Sequence, residues 1–318
     1  AKQTATMATV RSLRPLASRW MTASSGKTAQ STLAGVRFAS NAASPSRHVR
    51  TGRILVVDGY TQAGRDDLEA GGATTAGVLY DGMLRACAPP GVELSCDIIY
   101  PSDDNFNASR AVESLEEYDA VAWTGCSLSL ATPEDKRVAC QIELCRSILT
   151  RGLPQFGSCW AMQMACVAAG GRCLPNPRGR EMGIARKIRL TPEGRSHPMY
   201  EGKPAVFDAF IAHDDEIVTV PDGVLHLATN AFTMVQAVDF TGTAPLPGRF
   251  WAVQYHPEYD LHEVARLTHC RREKLIRLGH FQSMAQADAY VEEMEQLFQE
   301  GPAKRKDLAW KYAIDADV

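Results

Sequence analysis

Gln155-Phe-Gly-Ser-Cys159-Trp-Ala-Met-Gln163 is the stretch that decides the fold. An apolar strand runs into Gly157, a small residue and Cys159, and a helical pattern starts at once, which is the strand-turn-helix geometry of a nucleophile elbow. Such a turn holds its side chain at the carboxyl edge of a sheet, and the adjoining helix N-terminus favours thiolate over thiol. It also sets the backbone N–H of Trp160 where an oxyanion would form. Taken alone, Cys159 could equally be one more buried thiol, because the chain has nine cysteines. They form no C-x-x-C pair and no Cys/His ligand cluster, so neither a disulfide framework nor a metal site is expected. The expected setting is a reducing compartment, and no cofactor is called for.

Working outward, Arg53-Ile-Leu-Val-Val-Asp-Gly59 is a short apolar run ending at Gly, as a buried parallel strand requires. The pattern predicts a helix over 74–87, a strand over 93–100, a helix over 108–115 and a strand over 119–124. A helix over 133–149, with Thr132 as N-cap and Pro133 at its first position, leads to the strand over 153–156 and the helix over 160–169. Repeated β-α units imply an α/β fold, a mostly parallel twisted sheet with helices on both faces. Strand-like segments over 205–210, 224–229, 235–240 and 249–254 add an antiparallel section, and helices over 261–278, 284–298 and 306–314 follow. The expected organisation is a basic arm over 1–52, one domain over 53–260, and a helical extension over 261–318 packed on that domain. Asp58-Gly59 with Gly64, Gly71 and Gly72 is a weak Gly-rich signal without a phosphate-binding pattern, and no nucleotide is inferred.

Phe250-Trp-Ala-Val-Gln-Tyr-His256-Pro-Glu258 changes the standing of Cys159. A strand delivers a His, Pro257 keeps the backbone before it extended, and a carboxylate follows two residues on. A thiol nucleophile needs a base, and the base needs an acid to orient it. His256 and Glu258 supply both.

These residues resemble the class I, triad-type glutamine amidotransferase domains, in which a G-x-C-x-G-x-Q elbow precedes an H-P-E motif. The resemblance covers roughly 54–259 and is of the kind seen in stand-alone proteins similar to the glutaminase domain of GMP synthase. It implies a flavodoxin-like fold in which Cys159 attacks the side-chain amide of glutamine, His256 relays protons and Glu258 holds His256. Asp119-Ala-Val-Ala-Trp-Thr-Gly125-Cys126-Ser127 is similar to the family's strand and oxyanion loop. By that similarity the N–H groups of Cys126 and Trp160 would receive the oxyanion, and Gly125 would border the substrate. Gln163 matches the motif's Gln, which frames the glutamine site; the alternative is a solvated helix residue. His213-Asp-Asp215-Glu216 resembles the family's H-x-D segment, making Asp215 a contact for the substrate's α-amino group or, equally, part of a solvated acidic turn. Two positions depart from the pattern. Ala161 stands where the family has Gly, and its methyl is expected to crowd the substrate or shift the helix. Gly125-Cys126-Ser127 stands for Gly-Gly-Pro. After the elbow helix, Arg178 and Arg180 lie in a Pro/Gly-rich loop that could bind a carboxylate or phosphate, or simply be surface charge.

Charge divides the chain. Residues 1–53 hold nine Lys/Arg and no Asp or Glu, leaving 25 basic against 37 acidic residues in the rest, a net charge of -12. An acidic body argues against a nucleic-acid partner, whose phosphates are met by clustered positive charge. No apolar run approaches the ~18 to 20 residues of a membrane span. The acid-free arm, rich in Ser, Ala, Thr and Arg and weakly amphipathic over 7–21, has the composition of a mitochondrial transit peptide, or else of a disordered basic tail. The expected location is the mitochondrial matrix, with the cytoplasm as alternative.

The expected activity is release of ammonia from glutamine through a thioester. The resemblance further implies that the ammonia passes to a synthase, and residues 260–318 are too short and too helical to be one. A separate ammonia-accepting synthase, or a larger organellar assembly contacting residues 1–53, is therefore an expected partner. Two alternatives stand beside it: hydrolysis of another γ-glutamyl bond, and a non-catalytic scaffold subunit of an organellar complex.

Overall fold

In Arg50–Val57 (β1) the run from Ile54 to Val57 is buried throughout, and its side chains alternate between two apolar clusters. Leu55 and Val57 enter one, Ile54 and Val56 the other, so this strand needs cover on both faces. The structure, a computed structural model, describes residues 50–132, 134–241 and 249–315. Residues 1–49 of the basic arm, Pro133 as a helix start and the last three residues lie outside the described residues; residues 50–52, expected to belong to the arm, instead open β1, where they pair with β2.

After β1 come the helices Gln62–Ala70 (α1) and Ala76–Ala86 (α2), then Val92–Ile99 (β2), Ala108–Glu113 (α3) and Ala120–Trp123 (β3). Lys136–Arg151 (α4), Gln155–Ser158 (β4) and Trp160–Ala168 (α5) form the central β-α pair. Arg172–Pro175 (β5), Glu181–Leu190 (β6), Pro192–Ser196 (α6), Val206–His213 (β7), Asp215–Thr219 (β8), Val224–Thr229 (β9), Ala237–Thr241 (β10) and Arg249–Val253 (β11) complete the strands. Leu261–Arg277 (α7), Met284–Glu300 (α8) and Lys306–Lys311 (α9) close the described chain.

Nine strands form one sheet in the order β2-β1-β3-β4-β11-β10-β9-β6-β7, and β5 pairs with β8 in a separate ribbon. The pairs from β2 to β11 are parallel, and those from β11 to β7 are antiparallel. Helices α4 and α5 cover one face, with Leu144, Ile148, Trp160 and Met162 fully buried against it. Tyr80 and Leu84 of α2 cover the other. A third cluster joins Val264 and Leu267 of α7 and Met294 of α8 to Tyr60 and Phe210, so the C-terminal helices pack beside the carboxyl ends of the strands.

Several elements differ from the expected pattern. The 74–87 helix is preceded by α1, which has only Arg65 and Leu68 buried and so no apolar stripe to announce it. Helix α4 is capped by Asp135 rather than Thr132: its carboxylate accepts from the N–H of Arg137 at 2.9 Å. Strands β5 and β6, which the pattern did not predict, flank the Pro/Gly-rich loop, and β8 begins at Asp215, where a solvated acidic turn was one alternative.

Candidate active site

Three parallel strands deliver the site. In the register, Ser158 at the end of β4 lies opposite Val253 of β11, and Gly157 opposite Trp123 of β3. The segments carrying Gly125, Cys159 and His256 therefore leave the sheet side by side.

Cys159 sits at φ 54 and ψ -108, a conformation that side-chain-bearing residues rarely adopt. Its N–H donates to Val253 O at 2.7 Å, and its carbonyl accepts from Met162 and Gln163 to open α5. Strain of this kind costs about 1–3 kcal/mol and persists only where the surroundings impose it. Gly157 makes the tight approach possible: a Cβ there would meet Ala161 Cβ at 2.5 Å and the Trp123 carbonyl at 3.0 Å. The Ala161 methyl thus lies against Gly157, fully buried in the helix-sheet core. The expectation that it crowds the substrate is corrected: the methyl packs inward, and α5 starts in register.

His256 and Glu258 meet at 2.7 Å, Nδ1 to Oε1, and both side chains are almost wholly buried. Burial alone would lower the imidazole's pKa; the Glu258 carboxylate above all, with the neighbouring Cys159, outweighs it and pushes it up to about 10. Among the described residues Nε2 has no hydrogen-bond partner, while the Cys159 thiol donates to the Ala212 carbonyl at 3.5 Å. A Cβ on Gly125 would be 2.8 Å from His256 Cε1 and 3.4 Å from Cys159 Cβ, so base, thiol and loop surround one point. Three supports escaped the sequence reading. Ser158 Oγ donates to Glu258 Oε1 at 3.0 Å, and Tyr80 O–H donates to Ser158 at 2.7 Å. The Tyr259 ring stacks on the imidazole with centroids 4.1 Å apart and planes 2° from parallel. Ser158 and Tyr259 flank the two motifs in sequence, and that adjacency was the signal available; nothing local marked Tyr80.

Trp160 is the first residue of α5, where an N–H has no carbonyl four residues back to bond, and its ring is fixed by donation from Nε1 to Gln141 Oε1 at 2.8 Å. The Cys126 side chain lies against Gly59, leaving only its backbone for the Gly125 loop to offer. Gln163 is buried, not solvated; its amide donates to the Asp215 carbonyl at 2.7 Å and to Gln254 Oε1 at 3.0 Å. Asp215 opens β8 and is buried, and its carboxylate accepts from Ser129 Oγ at 2.6 Å. His213 bridges the Asp215 carbonyl and Glu181. In the loop after α5, Arg178 is taken up by the carbonyls of Ala231 and Phe232, whereas Arg180 turns inward to Asp214.

A parallel-centred sheet between helical layers, with a cysteine on the elbow at its carboxyl edge, defines a flavodoxin-like α/β fold. The model of the family described as glutamine amidotransferase class-I matches residues 92–267, and the chain belongs to that family. It is 30% identical over 239 residues to a gamma-glutamyl-L-1-hydroxyisopropylamide hydrolase from Pseudomonas sp, covering 73% of this chain and 76% of that protein. It is 35% identical over 113 residues to a GMP synthase from Thermomicrobium roseum, a match spanning 35% of this chain and only 19% of the synthase. Among solved structures, a glutamine amidotransferase from Thermotoga maritima superposes with a TM-score of 0.55 at 15% identity, covering 84% of this chain and 99% of the other, a likeness of fold.

Proposed function

We propose that the protein hydrolyses the γ-amide bond of L-glutamine or of a γ-glutamyl compound through a thioester on Cys159. The observation that carries this is the buried His256–Glu258 pair, with the unpartnered imidazole Nε2 beside the elbow cysteine. The Cys159 sulfur attacks the γ-carbonyl carbon, and the oxyanion is received by the N–H groups of Trp160 and Cys126. The C–N bond then breaks as His256 gives its proton to the departing nitrogen. Water, deprotonated by His256, attacks the thioester, and glutamate leaves with the thiol restored. Gln163 serves this scheme by tying the start of β8 to Gln254, just past the end of β11, and Asp215 is the carboxylate on hand for the substrate's α-amino group.

The test is hydrolysis by the full chain of L-glutamine and of γ-glutamyl amides, together with labelling by a thiol-directed glutamine analogue. Turnover and labelling should both vanish in Cys159→Ala; turnover surviving that substitution would refute the scheme. An ammonia-accepting synthase partner and a mitochondrial matrix location are further parts of the proposal, the second supported by the acid-free basic composition of residues 1–53. A fluorescent protein carrying those residues should enter mitochondria, and diffuse cytoplasmic fluorescence would count against that location.

A further inference from the structure

The body of the chain is acidic, yet cations collect behind the nucleophile. Arg180, just before β6, has a side chain only 3% exposed. It donates from Nη1 to Asp214 Oδ2 at 2.7 Å, while its Nε and Nη2 have no partner among the described residues. Arg271 of α7 donates to the Tyr60 hydroxyl at 3.0 Å, and Lys274, one turn further on, shares the same Asp214 oxygen at 2.7 Å. Two cations thus share one carboxylate, and Arg271 lies on the same helix as Lys274, one turn before it. Arg180 adjoins Glu181 and Met182, which lie opposite His213 and Ala212 in the β6–β7 ladder, and the Ala212 carbonyl accepts from the Cys159 thiol at 3.5 Å, so the strand register carries Arg180 to the nucleophile's edge of the sheet. Burying a guanidinium with two of its nitrogens unmet costs folding free energy, and a charge so held calls for an anion to complete it.

Asp214 and Asp215 show which part of the substrate that anion belongs to. Their carboxylates diverge: Asp215 goes to Ser129, beside Gln163, where the glutamyl α-amino group is assigned, and Asp214 goes to Arg180 and Lys274. The basic group is therefore separate from the glutamyl tail's neighbourhood while still near the sulfur.

We propose that Arg180, anchored by Asp214 and backed by Arg271, determines specificity by binding a carboxylate on the departing amine, so that the substrate is a γ-glutamyl amino acid or short γ-glutamyl peptide. The inference rests on the γ-glutamyl reading of Cys159. The bond broken is the γ-carbonyl C–N bond; the amine leaves with the His256 proton, and one water returns glutamate and the free thiol.

γ-Glutamylglycine and γ-glutamylglycinamide are near-isosteres that differ in the carboxylate alone, and both keep the glutamyl α-carboxylate. The full chain should favour γ-glutamylglycine in kcat/KM by about 10- to 100-fold, the worth of a buried charge-assisted bond. Arg180→Gln should bring that ratio close to one, and Arg180→Lys should recover part of it. An equal fall on both substrates would overturn the proposal, assigning Arg180 to the α-carboxylate or to the fold. So would an unchanged ratio, or a wild type that cleaves glutamine but neither dipeptide. A second reading needs no turnover: alkylation of Cys159, followed by mass of its peptide, with iodoacetate against iodoacetamide. The preference for the anionic reagent should drop about tenfold in Arg180→Gln; no drop would refute the anion subsite. Absence of all γ-glutamyl hydrolysis, with that drop intact, would refute the hydrolytic scheme and the leaving-group assignment while leaving the anion site standing.

Discussion

Ser158 Oγ donates to Glu258 Oε1 at 3.0 Å, so the residue before the elbow cysteine holds the carboxylate that orients His256. Tyr80 donates to Ser158 in turn at 2.7 Å, and the chain of bonds reaches from α2 through the end of β4 to the histidine. Ser158→Ala leaves the Tyr80 hydroxyl without its acceptor and Glu258 with one bond fewer. It should lower kcat by about tenfold and stability by about 1–2 kcal/mol, whereas Tyr80→Phe should lower kcat less. Steady-state kinetics with denaturant titration on both variants checks this, and an unaltered kcat in Ser158→Ala would deny the linkage.

The imidazole should leave a mark on stability as well. His256 is raised from 6.5 to about 10, so the folded chain holds its proton more tightly than the unfolded one. The contribution of that pairing is complete below about pH 6.5 and is lost as pH climbs from there through about 10. Melting curves across this window should fall less steeply for His256→Gln than for the wild type; parallel curves would rule the effect out.

Gly157 and Ala161 are a matched pair. Gly157→Ala forces two methyls within 2.5 Å and should destabilise the protein by about 1–3 kcal/mol. Ala161→Gly should cost about 1 kcal/mol from helix propensity with little change in turnover. The double exchange should recover part of the Gly157→Ala loss, the Trp123 carbonyl at 3.0 Å remaining in the way. Thermal denaturation of the three variants reads the coupling, and strict additivity would contradict the packing described.

At Cys126 the scheme uses only the backbone, and the thiol lies against Gly59. Cys126→Ala should accordingly retain kcat within about threefold, less than the loss of a single oxyanion donor. A loss of about 100-fold, measured on glutamine or a γ-glutamyl amide, would mean that the side chain takes part.

The nucleophile and its base were legible because each depends on a short stretch: Gly157 to Gln163 encodes the elbow, and Tyr255 to Glu258 an extended His. The parallel core was legible from runs such as Ile54 to Val57, apolar on both faces. What stayed hidden depends on distant partners. Helix α1 is polar, with its Thr61 cap the main local sign, since the hydroxyl accepts from Gly64. Strand β6 carries an irregularity between Ala185 and Ile188, with Lys187 at φ 52, which breaks the alternation a reader would follow. Arg180 and Arg271 come from a loop and a late helix, and the packing of α7 against the sheet body brings Lys274 onto the carboxylate that Arg180 holds and Arg271 onto Tyr60.

The backbone at Cys159 has a consequence for how this sequence drifts. At φ 54 and ψ -108 glycine would sit without strain, so a chain selected only to fold would gain by losing this side chain. A lineage released from catalysis should shed the thiol early, and do so while becoming sturdier. A cysteine at this position is what the proposed use of the thiol calls for, and Cys159→Gly should raise the melting temperature while ending turnover.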